Sequence, residues 1–179
     1  MIQKSKGNRG RWGSGGFSAV ELMVTLVVFG VMAAASIPAF SKSMTANKLV
    51  SASDGVRSKM RLARSRAVAE NRPYIIAWYA QYGQVFLVRD ENLNGQPDWG
   101  SEYQEGPLTM PNGIKMTNYG SNPFPNSYVV FNPDGSASAS GALLIVNTQG
   151  QQKVVNLIQP SGTVTVSSPE EYSAQFPSN

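Results

Sequence analysis

The feature that most constrains this chain is an uninterrupted apolar run. From Leu22 to Phe40 there is no charged residue across 19 positions. About 20 apolar residues in a helix cross the ~30 Å hydrocarbon core of a bilayer, so the run is long enough to span one. A basic stretch precedes it. Residues 1–16 hold Lys4, Lys6, Arg9 and Arg11 and no acid. Loops rich in Lys and Arg stay in the cytoplasm, which places the leader inside and the remainder outside. Three readings fit these facts. The segment is a secretory signal with Ala33-Ala34-Ala35 as its small-residue cleavage site, a plain single-span anchor, or a segment cut after Gly16, before its apolar part.

Charge is distributed in blocks. The formal net charge is +4, and the leader carries all of it, since bases and acids balance 11 to 11 from residue 17 onward. Residues 42–72 are net +6 and residues after 72 are net −5. The chain therefore reads as a basic leader, an apolar segment, a basic stretch and an acidic body. It has no Cys and no His. That removes thiolate zinc sites, disulfides, Cys nucleophiles and any triad needing an imidazole.

Glu21 lies at the start of the apolar segment. A carboxylate carried toward the centre of a bilayer costs about 2.5–3.5 kcal/mol on insertion scales. A signal sequence or a passive anchor gains nothing from it. Either Glu21 sits near the interface and is tolerated, or it meets a cation inside the membrane or an assembly.

Gly16-Phe17-Ser18-Ala19-Val20-Glu21-Leu22-Met23-Val24, in fixed register after a basic leader, resembles the class III leader of type IV pilins and type II secretion pseudopilins. The resemblance implies that a prepilin peptidase cuts between Gly16 and Phe17 and that Phe17 becomes the N-methylated terminus. It also implies that Glu21 pairs with the terminal amine of a neighbouring pilin or pseudopilin subunit during assembly. The chain would then reside in the bacterial inner membrane as a single-pass protein with its head in the periplasm, and later in a filament. An amine in an apolar filament core needs a counter-charge, which a carboxylate supplies.

Beyond Pro38, which should kink the helix or locally break its hydrogen bonding, Leu49, Ala52, Val56, Met60, Ala63 and Ala67 recur at three- and four-residue steps. This predicts an amphipathic helix over 41–72, ended by Pro73. Arg57, Arg61 and Arg64 flank one side of the stripe, and Lys59 and Arg66 the other. Residues 73–168 read as an antiparallel β head. Expected strands are 74–80, 84–90, 114–118, 127–132, 142–147, 153–159 and 163–167, separated by Gly, Pro, Asn and Asp turns. Residues 169–179 lack periodicity and read as a loose tail. The expected class is α+β: a long N-terminal helix, transmembrane in 17–40, packed by its second half on an antiparallel sheet, the type IV pilin-like fold. Ala63-Arg64-Ser65-Arg66-Ala67, Trp78, Val85-Phe86, the 90–98 loop, Phe131, Gly135 and the Gly150 turn are similar to the FimT/GspH branch of minor pilins.

Three constellations could carry chemistry. Asp90, Asn92, Asn94 and Asp98 place oxygens at intervals around Gly95, like the start of a calcium loop. The twelfth position is Ser101, however, and Glu102 comes one residue late. An Asn/Asp/Gly turn explains the same composition. Arg57, Arg61 and Arg64 could meet DNA phosphates. DNA-uptake members of the branch carry Gly-Arg-x-Arg in the last strand, whereas Gly162-Thr163-Val164-Thr165 stands here. That substitution and the acidic head disfavour DNA. Asp98, Glu102 and Glu105 could pair as carboxylates, but no nucleophile or base accompanies them, so no enzyme is expected. The reading is a structural minor pilin or pseudopilin, with a DNA-binding uptake pilin as the alternative.

Overall fold

The computed structural model describes residues 16–120 and 122–176. Helix α1 spans Ala19–Glu70. Ser18 opens it, its Oγ accepting from the Glu21 backbone N–H at 3.2 Å. This satisfies one of the four donors that a helix start leaves unpaired. The helical backbone continues through position 38, so Pro38 does not end the helix. Asn71 ends it by turning into the left-handed region at φ +50°. The Arg72 N–H then reaches back to the Ala67 carbonyl at 3.2 Å, and Pro73 prevents a further turn. Compact structure divides after Phe40, and Ser41–Asn179 forms the head unit.

Within the head, the predicted stripe is the buried face of α1. Leu49, Ala52, Val56, Met60, Ala63 and Ala67 are each no more than 3% exposed. The three alanines keep this face narrow, which lets the backbone approach the sheets closely. Eight strands follow: β1 Tyr74–Tyr79, β2 Gln84–Arg89, β3 Gln104–Thr109, β4 Ile114–Asn118, β5 Tyr128–Phe131, β6 Gly141–Asn147, β7 Gln152–Ile158 and β8 Thr163–Ser167. They form two antiparallel four-stranded sheets, in the orders β3-β2-β1-β5 and β4-β6-β7-β8. The α1 stripe shares one core with Ile76, Trp78 and Leu87 of the first sheet and with Leu143, Ile145 and Leu157 of the second. Because side chains alternate along a strand, the intervening residues face outward.

Strand β3 is absent from the sequence expectation. It contains Gly106 and Pro107, which read as a turn. It is nevertheless paired, because it lies at a sheet edge, where a missing N–H breaks no ladder on the outer side. The register shift opposite Val85 and Leu87 further accommodates it.

Both outer faces also carry buried residues. On the first sheet, Val130, Ile75 and Val88 form a cross-strand row and are buried. On the second, Ala142 and Val154 are buried against Tyr172. Tyr172 corrects the expectation of a loose tail. Pro169–Gln175 forms helix α2, opened by a capping box in which Ser168 and Glu171 bond each other's backbone N–H. Seven residues are too few to show helical periodicity, and only the apolar face of the sheet makes the helix worth forming. Residues 177–179 of the predicted tail lie outside the described residues.

The Asp134-Gly135 turn meets the β7–β8 turn at Gly162. Gly162 has φ +63°, and a Cβ there would lie 2.6 Å from the Gly135 carbonyl oxygen and 3.2 Å from Arg64 Nε. Gly162→Ala therefore adds left-handed strain and forces two turns apart. Its expected cost is about 1–2 kcal/mol from backbone conformation alone, more with the clash, read from urea unfolding. Gly95→Ala, also at positive φ but with open space around its Cβ, separates the strain from the clash.

Candidate assembly site

Every side chain from Phe17 to Ile37 is exposed, and so is Phe40. Phe17, Leu26, Val27, Phe29 and Ile37 are each at least 65% exposed. An isolated helix with apolar side chains on every side needs an apolar environment to cover it. Glu21 is the single ionisable side chain in this segment. Its backbone N–H is held by Ser18, and its carbonyl accepts from the Thr25 hydroxyl at 2.7 Å. None of the ion pairs among the described residues involves its carboxylate. At the third helical position it lies where the helix dipole favours an anion. The Ser-x-x-Glu spacing was the available signal for Ser18 as the cap, and it is absent from the sequence expectation. Gly16 and Phe17 immediately precede this turn in non-helical backbone, and Phe17 is 77% exposed.

The basic flanks of α1 engage the head. Lys59 Nζ donates to Glu105 Oε1 at 3.0 Å, and Arg66 lies 2.8 Å from Glu105 Oε2. Thus both cations on that side converge on one carboxylate of β3. On the other side Arg61 donates to the Val164 carbonyl at 3.3 Å, and Arg64 to the Gly135 carbonyl at 2.9 Å. Arg57 pairs with Asp54 one turn earlier at 2.9 Å. Of the three arginines considered for DNA, Arg61 and Arg64 line one open hollow beside Asp134 and Gly135, and Arg57 is not among its lining residues. Two fasten α1 to loops and the edge of the second sheet, and one is paired along the helix.

The hydrogen bond from Lys59, reinforced by the two positive charges, holds the Glu105 carboxyl below the usual carboxylate range. The sign follows directly. A depressed folded-state pKa stabilises the fold above the unfolded value, about 4.3 for Glu, and that contribution is lost as pH falls through the lower folded value. Glu105→Gln is expected to lower stability by up to about 1 kcal/mol at neutral pH, as for partly exposed pairs. The difference from the unsubstituted protein should vanish in acid below the carboxylate range. Urea unfolding of both proteins across pH measures it.

The 90–102 loop is organised by its own carboxylates. Asp90 is 1% exposed, and its two oxygens accept from the N–H groups of Asn94 at 3.2 Å and Gly95 at 2.9 Å. Glu102 is 8% exposed and accepts from the N–H groups of Glu91 at 2.9 Å and Asp98 at 3.0 Å. The Asn92 and Asn94 amides donate to the same Asp98 oxygen, at 2.6 and 2.7 Å. Of the predicted calcium ligands, Asn92, Asn94 and Asp98 thus meet one another, while Asp90 is directed to backbone. Among the described residues, no three acidic side chains converge as a metal site. Glu102, which falls one residue too late for the twelfth position of a calcium loop, closes the base of the loop. Glu105 is occupied by Lys59 and Arg66 instead.

A helix exposed along its apolar residues 19–37, with a later part buried on two antiparallel sheets, defines a pilin-like subunit. The family described as "Type II transport protein GspH" matches residues 52–169. The chain belongs to this family of minor pseudopilins and minor pilins. Two structures of the minor pseudopilin EpsH from the type II secretion system of Vibrio cholerae share the fold. One has a TM-score of 0.53 at 11% identity, covering 70% of this chain and 96% of that one. The other has a TM-score of 0.51 at 13% identity, covering 65% and 94%. The type IV minor pilin FimU of Pseudomonas aeruginosa aligns at a TM-score of 0.49 and 16% identity, over 68% of this chain and 88% of that one. No curated relative matches the sequence.

Proposed function

We propose that this chain is a structural minor pilin or pseudopilin subunit, in a type IV pilus or a type II secretion pseudopilus. Prepilin peptidase cuts it after Gly16, Phe17 is N-methylated, and the subunit assembles with other pilin or pseudopilin subunits through α1. Before assembly it spans the inner membrane once, with the head in the periplasm. The observation that carries this reading is the apolar first part of α1, exposed from Ala19 to Ile37, with Glu21 as its only ionisable side chain. Lipid can cover such a surface first and neighbouring helices later. Glu21 then supplies the counter-charge for the amine that cleavage creates. No catalytic role is assigned, because Asp98, Glu102 and Glu105 are each bonded to backbone N–H groups, amides or cations.

Mass and sequence analysis of the mature N-terminus tests the processing step. A terminus at Phe17 with one added methyl group is expected. A start at Ser36, or an uncut Met1, overturns it. A DNA-binding uptake pilin is the second reading. It is disfavoured because Arg61 and Arg64 are engaged by backbone carbonyls and Arg57 by Asp54. Salt-sensitive binding of duplex DNA by the protein would reverse that order.

A further inference from the structure

The end of the head at which Ser41 enters carries exposed aromatic rings and ammonium groups. Several contacts locate it. Thr45 lies four residues after Ser41, and its carbonyl accepts from the Asn147 amide at 3.5 Å. Asn147 pairs with Ile114 across β6 and β4. Ile114 and Lys115 line one hollow with the 3-10 turn Ala80–Tyr82, which closes the β1–β2 hairpin. The hairpin tip therefore lies at the end of the head where α1 enters. In sequence, the head begins at Ser41, the residue after the last of the apolar run, Phe40.

On this tip Tyr79 packs against Tyr82, Phe86 and Trp99, with ring centroids 6.4, 5.9 and 5.3 Å away. The cluster is not sunk into the core. Tyr82 is 66% exposed and Trp99 42%. Lys42, Lys48 and Lys115 are exposed around the same end. Rings with an apolar body and a polar tip, accompanied by ammonium groups, are the side chains favoured at a membrane–water interface. Lysines held at that level are also attracted to anionic headgroups.

We propose that this end of the head rests in the headgroup layer of an anionic bilayer, with Tyr79, Tyr82 and Trp99 in the interface and Lys42, Lys48 and Lys115 facing lipid phosphates. The inference rests on the membrane placement of α1 proposed above, and two features carry it further. Ser41, the head residue that follows the apolar run in sequence, lies four residues before Thr45 at this end, and the exposed charge around it on α1 and β4 is complementary to anionic lipid. Contact of this kind is reversible, as a subunit that must leave the membrane for a filament requires.

The test uses the full-length protein carrying Trp12→Phe, reconstituted into vesicles of phosphatidylcholine with or without phosphatidylglycerol. Trp78 is 3% exposed in the core, which leaves Trp99 as the tryptophan that lipid can reach. A headgroup nitroxide is expected to quench Trp99 more strongly than a mid-bilayer nitroxide, and more on anionic vesicles. Trp99→Phe should abolish the quenchable emission. Changing the three lysines to Gln should remove the preference for phosphatidylglycerol. Trp99 unquenched in protein that resists alkaline carbonate extraction overturns the inference and leaves the membrane placement of α1 standing. Extraction of the protein by carbonate overturns both.

Discussion

Glu21→Ala is expected to leave cleavage after Gly16 intact and to abolish incorporation of the subunit into filaments. The proposed cleavage would act on the backbone at Gly16 and Phe17, which stand outside the helix. The carboxylate lies on the first turn, and none of the ion pairs among the described residues satisfies it. Burying the new terminal amine of a neighbour without a partner leaves an uncompensated charge in a low-dielectric core, a penalty of about 3–5 kcal/mol. By comparison, the local role of Glu21 in the helix dipole is worth about 0.3–1 kcal/mol. Glu21→Gln separates the two roles. It keeps a polar side chain on the first helical turn but removes the charge, so it should fail in assembly as Ala does. Filament fractions probed for the subunit, alongside the mass of the mature terminus, give the readout. Normal incorporation of either variant would contradict the pairing role.

Met60→Ala should produce the largest loss of head stability among single substitutions in α1. Met60 is fully buried, midway along the stripe that joins the helix to both sheets. Truncating a buried Met to Ala costs about 2–5 kcal/mol, through lost burial and the cavity left behind. For a domain of this size each kcal/mol shifts Tm by about 2–4 °C, so a drop of roughly 5–15 °C is expected. Val28→Ala, in the apolar segment and 51% exposed, is the control. It trims an apolar side chain of the same helix without touching the head core, and head melting should stay within the small range of surface substitutions. Circular dichroism at a strand-dominated wavelength reads both. Equal shifts would show that the head core does not depend on the α1 stripe.

The two substitutions act on different parts of one helix, and the sequence distinguishes those parts well. The stripe from Leu49 to Ala67 was legible because helical periodicity repeats over about five turns. Seven of the eight strands were legible because β-branched and aromatic residues alternate between turn signals. The exceptions have physical reasons. Gly106 and Pro107 disguise β3, and only its place at a sheet edge makes them tolerable. Helix α2 is too short for periodicity and is held by Tyr172 on Ala142 and Val154. The roles of the polar residues were the least legible. Arg61 and Arg64 looked alike to Arg57, yet two reach backbone carbonyls at least 71 residues away and the third pairs locally.

Features that depend on near neighbours along the chain could be read from the sequence: the lone carboxylate of the apolar segment, the helical stripe, and the alternation of most strands. Each of these is written in spacing or charge within a few turns. Which polar groups hold the fold together follows from contacts made on folding, several of them between residues distant in sequence. Asp90 and Glu102 close a loop, Glu105 gathers two cations, and Gly162 lets two turns touch. Those outcomes rest on partners brought close by folding, and a hydrogen bond or close contact acts over a few ångströms whatever the separation in sequence.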